Sequence, residues 1–277
     1  MAEEAEDAQD FVEGNASSDP ASAKTRNAFT ELMRPKPKAP KTEGTDPTPR
    51  SALKKLVGWK GALLEPIEHP ERFPSEVVRV TLNTVLLRDK FPKATVHLLL
   101  LPRSRDHYDL HPHEAFADPA FLAMIKEEAA SAADLAAAEL GRLLSPFSAS
   151  SKARNDAMDA GEVSFAELPP GRDYRSEIRV GIHAHPSMAH LHVHIISRDM
   201  HSDKVKHRKH YNSFNTPFFI PVEDYPLLKD DERLRTSFQN ANLGRDLVCW
   251  RCGRDFGKHF AQLKEHLEEE FEVWKAL

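Results

Sequence analysis

A net charge of −5 over 277 residues rules out holding nucleic acid by bulk attraction, though not by a local basic groove. Two cysteines, Cys249 and Cys252, cannot build a disulfide framework, so the chain reads as intracellular. With 40% hydrophobic residues a sizeable core is available, no apolar run approaches the length of a membrane span, and the acidic start Met1-Ala2-Glu3-Glu4 is no signal peptide.

Residues 1–50 read as a disordered tail. Acidic residues dominate to Asp19, no base precedes Lys24, and Pro35, Pro37, Pro40, Pro47 and Pro49 punctuate a Lys-rich stretch. One island breaks the pattern: Phe29, Leu32 and Met33 share a face of a short helical turn, followed by basic Arg34-Pro35-Lys36-Pro37-Lys38. It is either chance or a docking peptide that folds on a partner, with the basic run as a nuclear-import signal that would place the chain in the nucleus.

Leu53, Leu56, Val57, Trp59, Leu63 and Leu64 predict a helix or turn over 51–65. Val77–Leu87, rich in Val, Thr and Leu, predicts a strand; 88–93 a turn; Thr95–Leu101 a buried strand ended by Pro102. Ala115–Leu144 has Ala-rich helical spacing. Residues 145–172 read as an insertion loop with a short helix at 153–160, and Arg175–His183 as another strand. One helix is predicted around Pro226–Asn240. Strand, strand, helix, strand, strand is the order of an α+β antiparallel sheet with a helix packed on it.

The centre of the chain is His190-Leu191-His192-Val193-His194-Ile195-Ile196. On a strand, alternation puts the three histidines on one face and the aliphatics on the other. Three imidazoles at one surface can supply nucleophile, acid and phosphate ligand near neutral pH. A metal site or a solvated strand face are the blander alternatives.

Near the C-terminus, Cys249-Trp250-Arg251-Cys252 is separated by thirteen residues from His266, on a predicted helix starting at Phe260. That is the layout of a two-Cys, two-His zinc finger, with Phe256 and Leu263 available as a small core. No histidine follows His266. Glu270, at i+4, lies on the same helix face and carries an accepted zinc ligand; Glu269 and His259 are the other candidates.

The alternating histidines resemble the signature of the histidine triad superfamily. With Gly181-Ile182-His183-Ala184-His185-Pro186-Ser187-Met188, the segment Lys206–Phe214 and the C-terminal module, the chain resembles the aprataxin-like branch of that superfamily, in its fungal form, over roughly residues 75–277. The resemblance implies a triad-type antiparallel sheet with a packed helix, and a C-terminal finger of two Cys, one His and one Glu holding structural Zn2+ through Cys249, Cys252, His266 and Glu270. It implies removal of AMP from 5′-adenylated DNA ends left by abortive ligation. His192 would attack the AMP phosphorus, with His190 orienting it and His194 and His183 holding phosphate oxygens or donating a proton. Ser187, Lys206 and Lys209 would meet the phosphates. Asp89, Lys90 and Phe91 would lie near the ribose or the DNA end, where Phe91 is either a base-stacking platform or an ordinary core residue.

The expected organisation is a tail over 1–50, a catalytic domain over 51–222, and a linker helix with the finger over 223–277. Two other functions compete: a triad hydrolase of small adenylates such as adenosine phosphoramidate or dinucleoside polyphosphates, and a zinc-finger DNA-binding protein with an inactive triad domain. The finger and the basic segment 204–210 weigh against the first, and the intact histidines against the second.

Overall fold

The computed structural model describes residues 59–161 and 164–277. Phe29, Leu32 and Met33, and likewise Leu53, Leu56 and Val57, lie outside the described residues. Its framework is a six-stranded antiparallel sheet in the order β1-β2-β3-β5-β4-β6. The predicted strand Val77–Leu87 is in fact a hairpin of β1 (Val77–Val80) and β2 (Thr84–Arg88). Thr81 makes the reversal: its hydroxyl accepts the backbone N–H groups of Asn83 and Thr84 at 3.2 and 2.9 Å. Leu82 at the tip is 89% exposed, so hydropathy alone hides this turn.

β3 (His97–Pro102) is buried along its length and pairs with β2 and with β5 (Val193–Ser197). β4 (Ile178–His183) lies between β5 and the three-residue β6 (Phe219–Pro221), which is too short to register as a period-two pattern.

Pleating sorts the two faces. Leu86, Leu98, Leu100, Val193 and Ile195 form one core with a long helix across them. That helix, Pro119–Leu144, starts later than the predicted Ala115 because Asp118 caps it, accepting from the N–H groups of Ala120 and Phe121 at 2.9 and 3.2 Å, with Pro119 in the first turn. Its buried stripe of Ala129, Ala132, Ala133 and Ala136 has small side chains that let the backbone approach the sheet closely.

The opposite face carries His97, His194 and Ile196. Here the helix Arg208–Asn215, called αT, lies against the sheet. Beyond it packs the C-terminal helix Phe260–Lys275, called αF. Ile196, Met200, Val205, Tyr211, Phe214 and Phe219 form one apolar cluster with Leu247, Cys249, Phe256, Leu263 and Leu267. The expected mini-core of Phe256 and Leu263 is therefore continuous with the residues behind the triad.

Two predicted segments differ. The helix expected over 226–240 forms only at Thr236–Leu243. Before it, Asp231 accepts the Arg233 N–H and pairs with its guanidinium, a local partnership that competes with helix. The 145–172 insertion carries the helix Ala149–Ala160, closed by Gly161 at φ 65°. It also clasps the end of αF: Arg172 lies over the Trp274 ring and donates to the Trp274 carbonyl at 2.8 Å, and Ala149 N–H donates to the Ala276 carbonyl at 3.0 Å. Among the described residues no helix is long and apolar enough to cross a membrane.

Candidate active site and metal centre

The strand proper begins at Val193, so His194 sits on β5 while His192 lies in the residues just before it and His190 in the preceding bend. Four imidazoles still converge. His194 is 4.4 Å from His183, 4.9 Å from His192 and 5.2 Å from His97, between ring centroids. His190 turns another way: its ring packs on Tyr108 and its Nε2 lies 3.3 Å from Asp109. Its main-chain carbonyl, rather than its ring, contacts the His192 imidazole, at 2.8 Å from Nδ1.

Hydrogen bonding assigns the protons. A carbonyl only accepts, so His192 carries its proton on Nδ1 and Nε2 keeps a lone pair. The Lys93 backbone N–H donates to His97 Nδ1 at 3.1 Å, so neutral His97 has its proton on Nε2 and donates it to His194 Nδ1 at 3.0 Å. His194 is then protonated on Nε2, a buried atom with no protein partner. His183 Nε2 is likewise buried without a partner. The site thus pairs one nucleophilic nitrogen with an N–H donor on the neighbouring ring, and buried polar atoms left open are where a polar ligand belongs.

Burial keeps these rings neutral. It lowers the His192 pKa, holds those of His183 and His194 well below the ordinary imidazole value, and pushes His97 down to about 4. For His183 and His194 the neighbouring imidazoles add to the effect.

The other predicted residues fall into two groups. Asp89 is half-buried beside this cluster, its carboxylate 3.4 Å from His97 Nδ1 and accepting the Phe91 N–H at 2.7 Å. Phe91 is 57% exposed, which removes the core-residue alternative. Lys90, Ser187, Lys206 and Lys209 are exposed, the first three in loops and Lys209 on αT. The Lys206 N–H is fixed by His210 Nδ1 at 3.2 Å.

Four residues escaped the sequence reading. His97 was hidden as an ordinary strand position. Lys93 sits near enough to depress His97, His183 and His194, and its own pKa is lowered by burial. Asp199 is buried and accepts from the N–H and hydroxyl of Thr95 and the N–H of His201, tying the Asp89–Lys93 turn to the end of β5. Phe214, on αT, presses edge-on against His183 and His194 at 4.6 and 5.2 Å. Of these, only Lys93 carried a usable signal: a lysine beside a proline in the turn next to the predicted strand.

Cys249, Cys252, His266 and Glu270 bring one donor atom each within 4.8 Å of one another. Cys252 Sγ lies 3.1 Å from His266 Nε2, which lies 3.2 Å from Glu270 Oε1. Such separations suit donors around one ion bound at about 2.0–2.3 Å. The second Glu270 oxygen is held by Arg251, which keeps the carboxyl below its usual range and so charged and ready to ligate. The alternatives do not join the set: Glu269 is 75% exposed with its carboxylate 3.7 Å from His266 Nδ1, and His259 stands at the N-terminal end of αF.

Residues 71–201 match the HIT domain family, and residues 215–273 match the C2HE / C2H2 / C2HC zinc-binding finger family. An aprataxin-like protein of Saccharomyces cerevisiae is 35% identical over 220 residues, which are 78% of this chain and 97% of that relative. The chain belongs to the aprataxin-like family. A second aprataxin-like protein, from Schizosaccharomyces pombe, is 33% identical over 253 residues, 91% of this chain and 95% of the relative. The solved structure of the aprataxin ortholog Hnt3 in complex with DNA matches with a TM-score of 0.61 at 31% identity, covering 78% of this chain and 96% of that one. Hnt3 in complex with DNA and guanosine matches equally, at TM-score 0.61 and 32% identity, covering 78% and 97%. In this aprataxin-like chain the residues between the two family matches, 202–214, include most of αT.

Proposed function

We propose that this chain is a DNA-processing HIT hydrolase that removes AMP from 5′-adenylated DNA ends through a covalent AMP–His192 intermediate. The observation that carries the reading is the proton placement on His192: Nδ1–H is committed to the His190 carbonyl, which leaves Nε2 as a lone pair in a nest of neutral imidazoles. The family relationship, and relatives solved as complexes with DNA, support the choice of substrate.

In the first step His192 Nε2 bonds to the AMP phosphorus. The bridging P–O bond breaks, and its electron pair leaves on the 5′-phosphate of the DNA. That leaving group is a weak base and needs no full protonation. His194 Nε2–H and His183 face the phosphate oxygens, where charge builds up in the transition state. Ser187, Lys206, Lys209 and Lys93 add donors from the rim. In the second step water attacks the same phosphorus, loses its proton to solvent, and releases AMP with His192 returned to its Nδ1–H form. Splitting one displacement into two lowers each barrier. Asp89, Lys90 and Phe91 sit where the ribose or the DNA end would lie. The donors Cys249, Cys252, His266 and Glu270 would hold one structural Zn2+ per chain, giving the finger the cross-link its small core needs. A DNA substrate places the work in the nucleus.

The test is a substrate panel on purified protein: adenylated nicked duplex against adenosine phosphoramidate and dinucleoside polyphosphates. The reading expects kcat/KM to be highest on the adenylated duplex and a phosphoramidate-linked AMP to be trapped on His192. Preference for the small adenylates, or an adduct on another residue, overturns it.

A further inference from the structure

We propose that αT links the metal knuckle to the catalytic histidines, with Tyr211 and Phe214 as the two positioning residues. Tyr211 is wholly buried, yet its hydroxyl is fully used. It accepts the Trp250 N–H at 2.9 Å and donates to the Val248 carbonyl at 2.9 Å. Those two groups flank Cys249, so one phenol holds the backbone on both sides of a metal donor. Asn212, also buried, makes a second clamp, donating to the carbonyls of Leu243 and Arg245 at 3.2 and 2.8 Å on the segment that leads into the finger.

One turn along the same helix, Phe214 touches the other site. Its ring lies edge-on to His183, His194 and His97, with centroids 4.6, 5.2 and 5.4 Å away. Positions three apart on a helix are neighbours and move together. A buried phenol oxygen is stabilised only while both its partners stay in place. The knuckle that supplies those partners is closed by Cys249 N–H to the Arg254 carbonyl and by Gly253 N–H to the Cys249 carbonyl, at 2.9 and 3.0 Å. When the donor set is unfilled, Cys249 and Cys252 lose what draws them together, and Val248 and Trp250 are free to shift. Tyr211 follows its partners, αT tilts, and Phe214 changes its contact with the His183 and His194 rings. Those two rings face the reacting phosphate, so the state of the finger is read in the chemical step and not only in DNA affinity.

This rests on the assignment of His192 and its neighbours as the catalytic group and of the finger donors as a zinc site. A readout that needs no substrate therefore comes first. In full-length protein, the Cε1–H resonances of His183 and His194 are followed by NMR in the zinc-loaded form, after chelation, and after zinc is restored. Both should move on chelation and return, while half-buried His69 stays in place. Unmoved His183 and His194 resonances in a chelated protein that keeps its amide spectrum overturn the proposal. Should chelation unfold the chain, Tyr211→Phe decides, since it removes one oxygen and keeps the ring. At full zinc content, this variant should show displaced His183 and His194 resonances and a kcat lowered roughly tenfold with KM for the adenylated duplex little changed. Wild-type kcat and wild-type resonances in Tyr211→Phe overturn the link. If adenylated DNA proves not to be the substrate, the resonances alone still decide.

Discussion

The triad site and the finger site are both built on histidine at the edge of one apolar cluster, yet their environments are opposite. His192 and His194 are ringed by other imidazoles and buried, so they are held neutral. His266 is set against Glu270, whose carboxylate Arg251 already keeps charged, and Cys252, whose thiol becomes anionic when it binds metal. The first environment favours a lone pair aimed at an electrophile. The second favours a cation between several donors. Under the proposed roles, residue type does not separate nucleophile from metal ligand; what differs is that imidazoles surround the first histidines while thiol and carboxylate donors surround the second.

Breaking the first site should have the largest effect. His192→Ala is expected to lower AMP release by at least about a thousandfold while the fold and DNA binding survive, measured by single-turnover kinetics beside circular dichroism. A rate within tenfold of wild type would end the covalent mechanism.

Breaking the second site should act through the metal. Glu270→Ala is expected to lower zinc content and the melting temperature. Glu269→Ala should do neither, because its side chain stands in solvent. Elemental analysis of the two variants separates the candidates, and zinc loss confined to Glu269→Ala would reassign the fourth ligand.

The contrast in charge also predicts a pH response. A histidine whose folded pKa lies below its unfolded value of about 6.5 sheds protons on folding. Its stabilising contribution is complete above pH 6.5 and declines as pH falls towards the folded value. For His97, pushed down to about 4 by burial, that contribution is about 3 kcal/mol. Urea unfolding with zinc in excess should therefore show stability falling from pH 6.5 to 4.5. His97→Gln should flatten the slope. A slope unchanged in His97→Gln would mean that His97 itself protonates in the folded chain as readily as in the unfolded one.

A smaller effect tests the wall between the two sites. Gly181 on β4 lies under Phe219, and an added Cβ would meet the Phe219 ring and the Ile220 carbonyl at 2.6 Å. Gly181→Ala should cost about 1–3 kcal/mol in denaturant unfolding, because the ring must move off the strand that carries His183. Zinc content should stay unchanged. No loss of stability would show that Phe219 has room to yield.

Much of this molecule was legible before any fold. His190, His192 and His194 announce themselves by alternation, and Cys249, Cys252 and His266 by spacing, with Glu270 the first of three candidates for the fourth donor, since a knuckle and one helix turn are local objects. The long Ala-rich helix follows from periodicity, which starts it at Ala115; the cap and proline at Asp118-Pro119 set its true start. Where local cues conflicted, it failed. Thr81 turns the chain inside an apparently continuous strand, and Asp231 with Arg233 replaces the first half of an expected helix.

By itself, the sequence determined the α+β class, the family and the alternating histidines, and narrowed the metal donors to Cys249, Cys252, His266 and a fourth among Glu270, Glu269 and His259, because these are patterns of residue type and spacing along the chain. Only the tertiary structure decided that His97 donates a hydrogen bond to His194, that the His190 carbonyl sets the tautomer of His192, and that Phe214 lies against the His183 and His194 rings. It also decided that the finger shares its core with the triad face. These partners are brought together by sheet pairing and by packing across the apolar cluster. A hydrogen bond between residues 97 apart, as between His97 and His194, leaves no periodic trace in the chain.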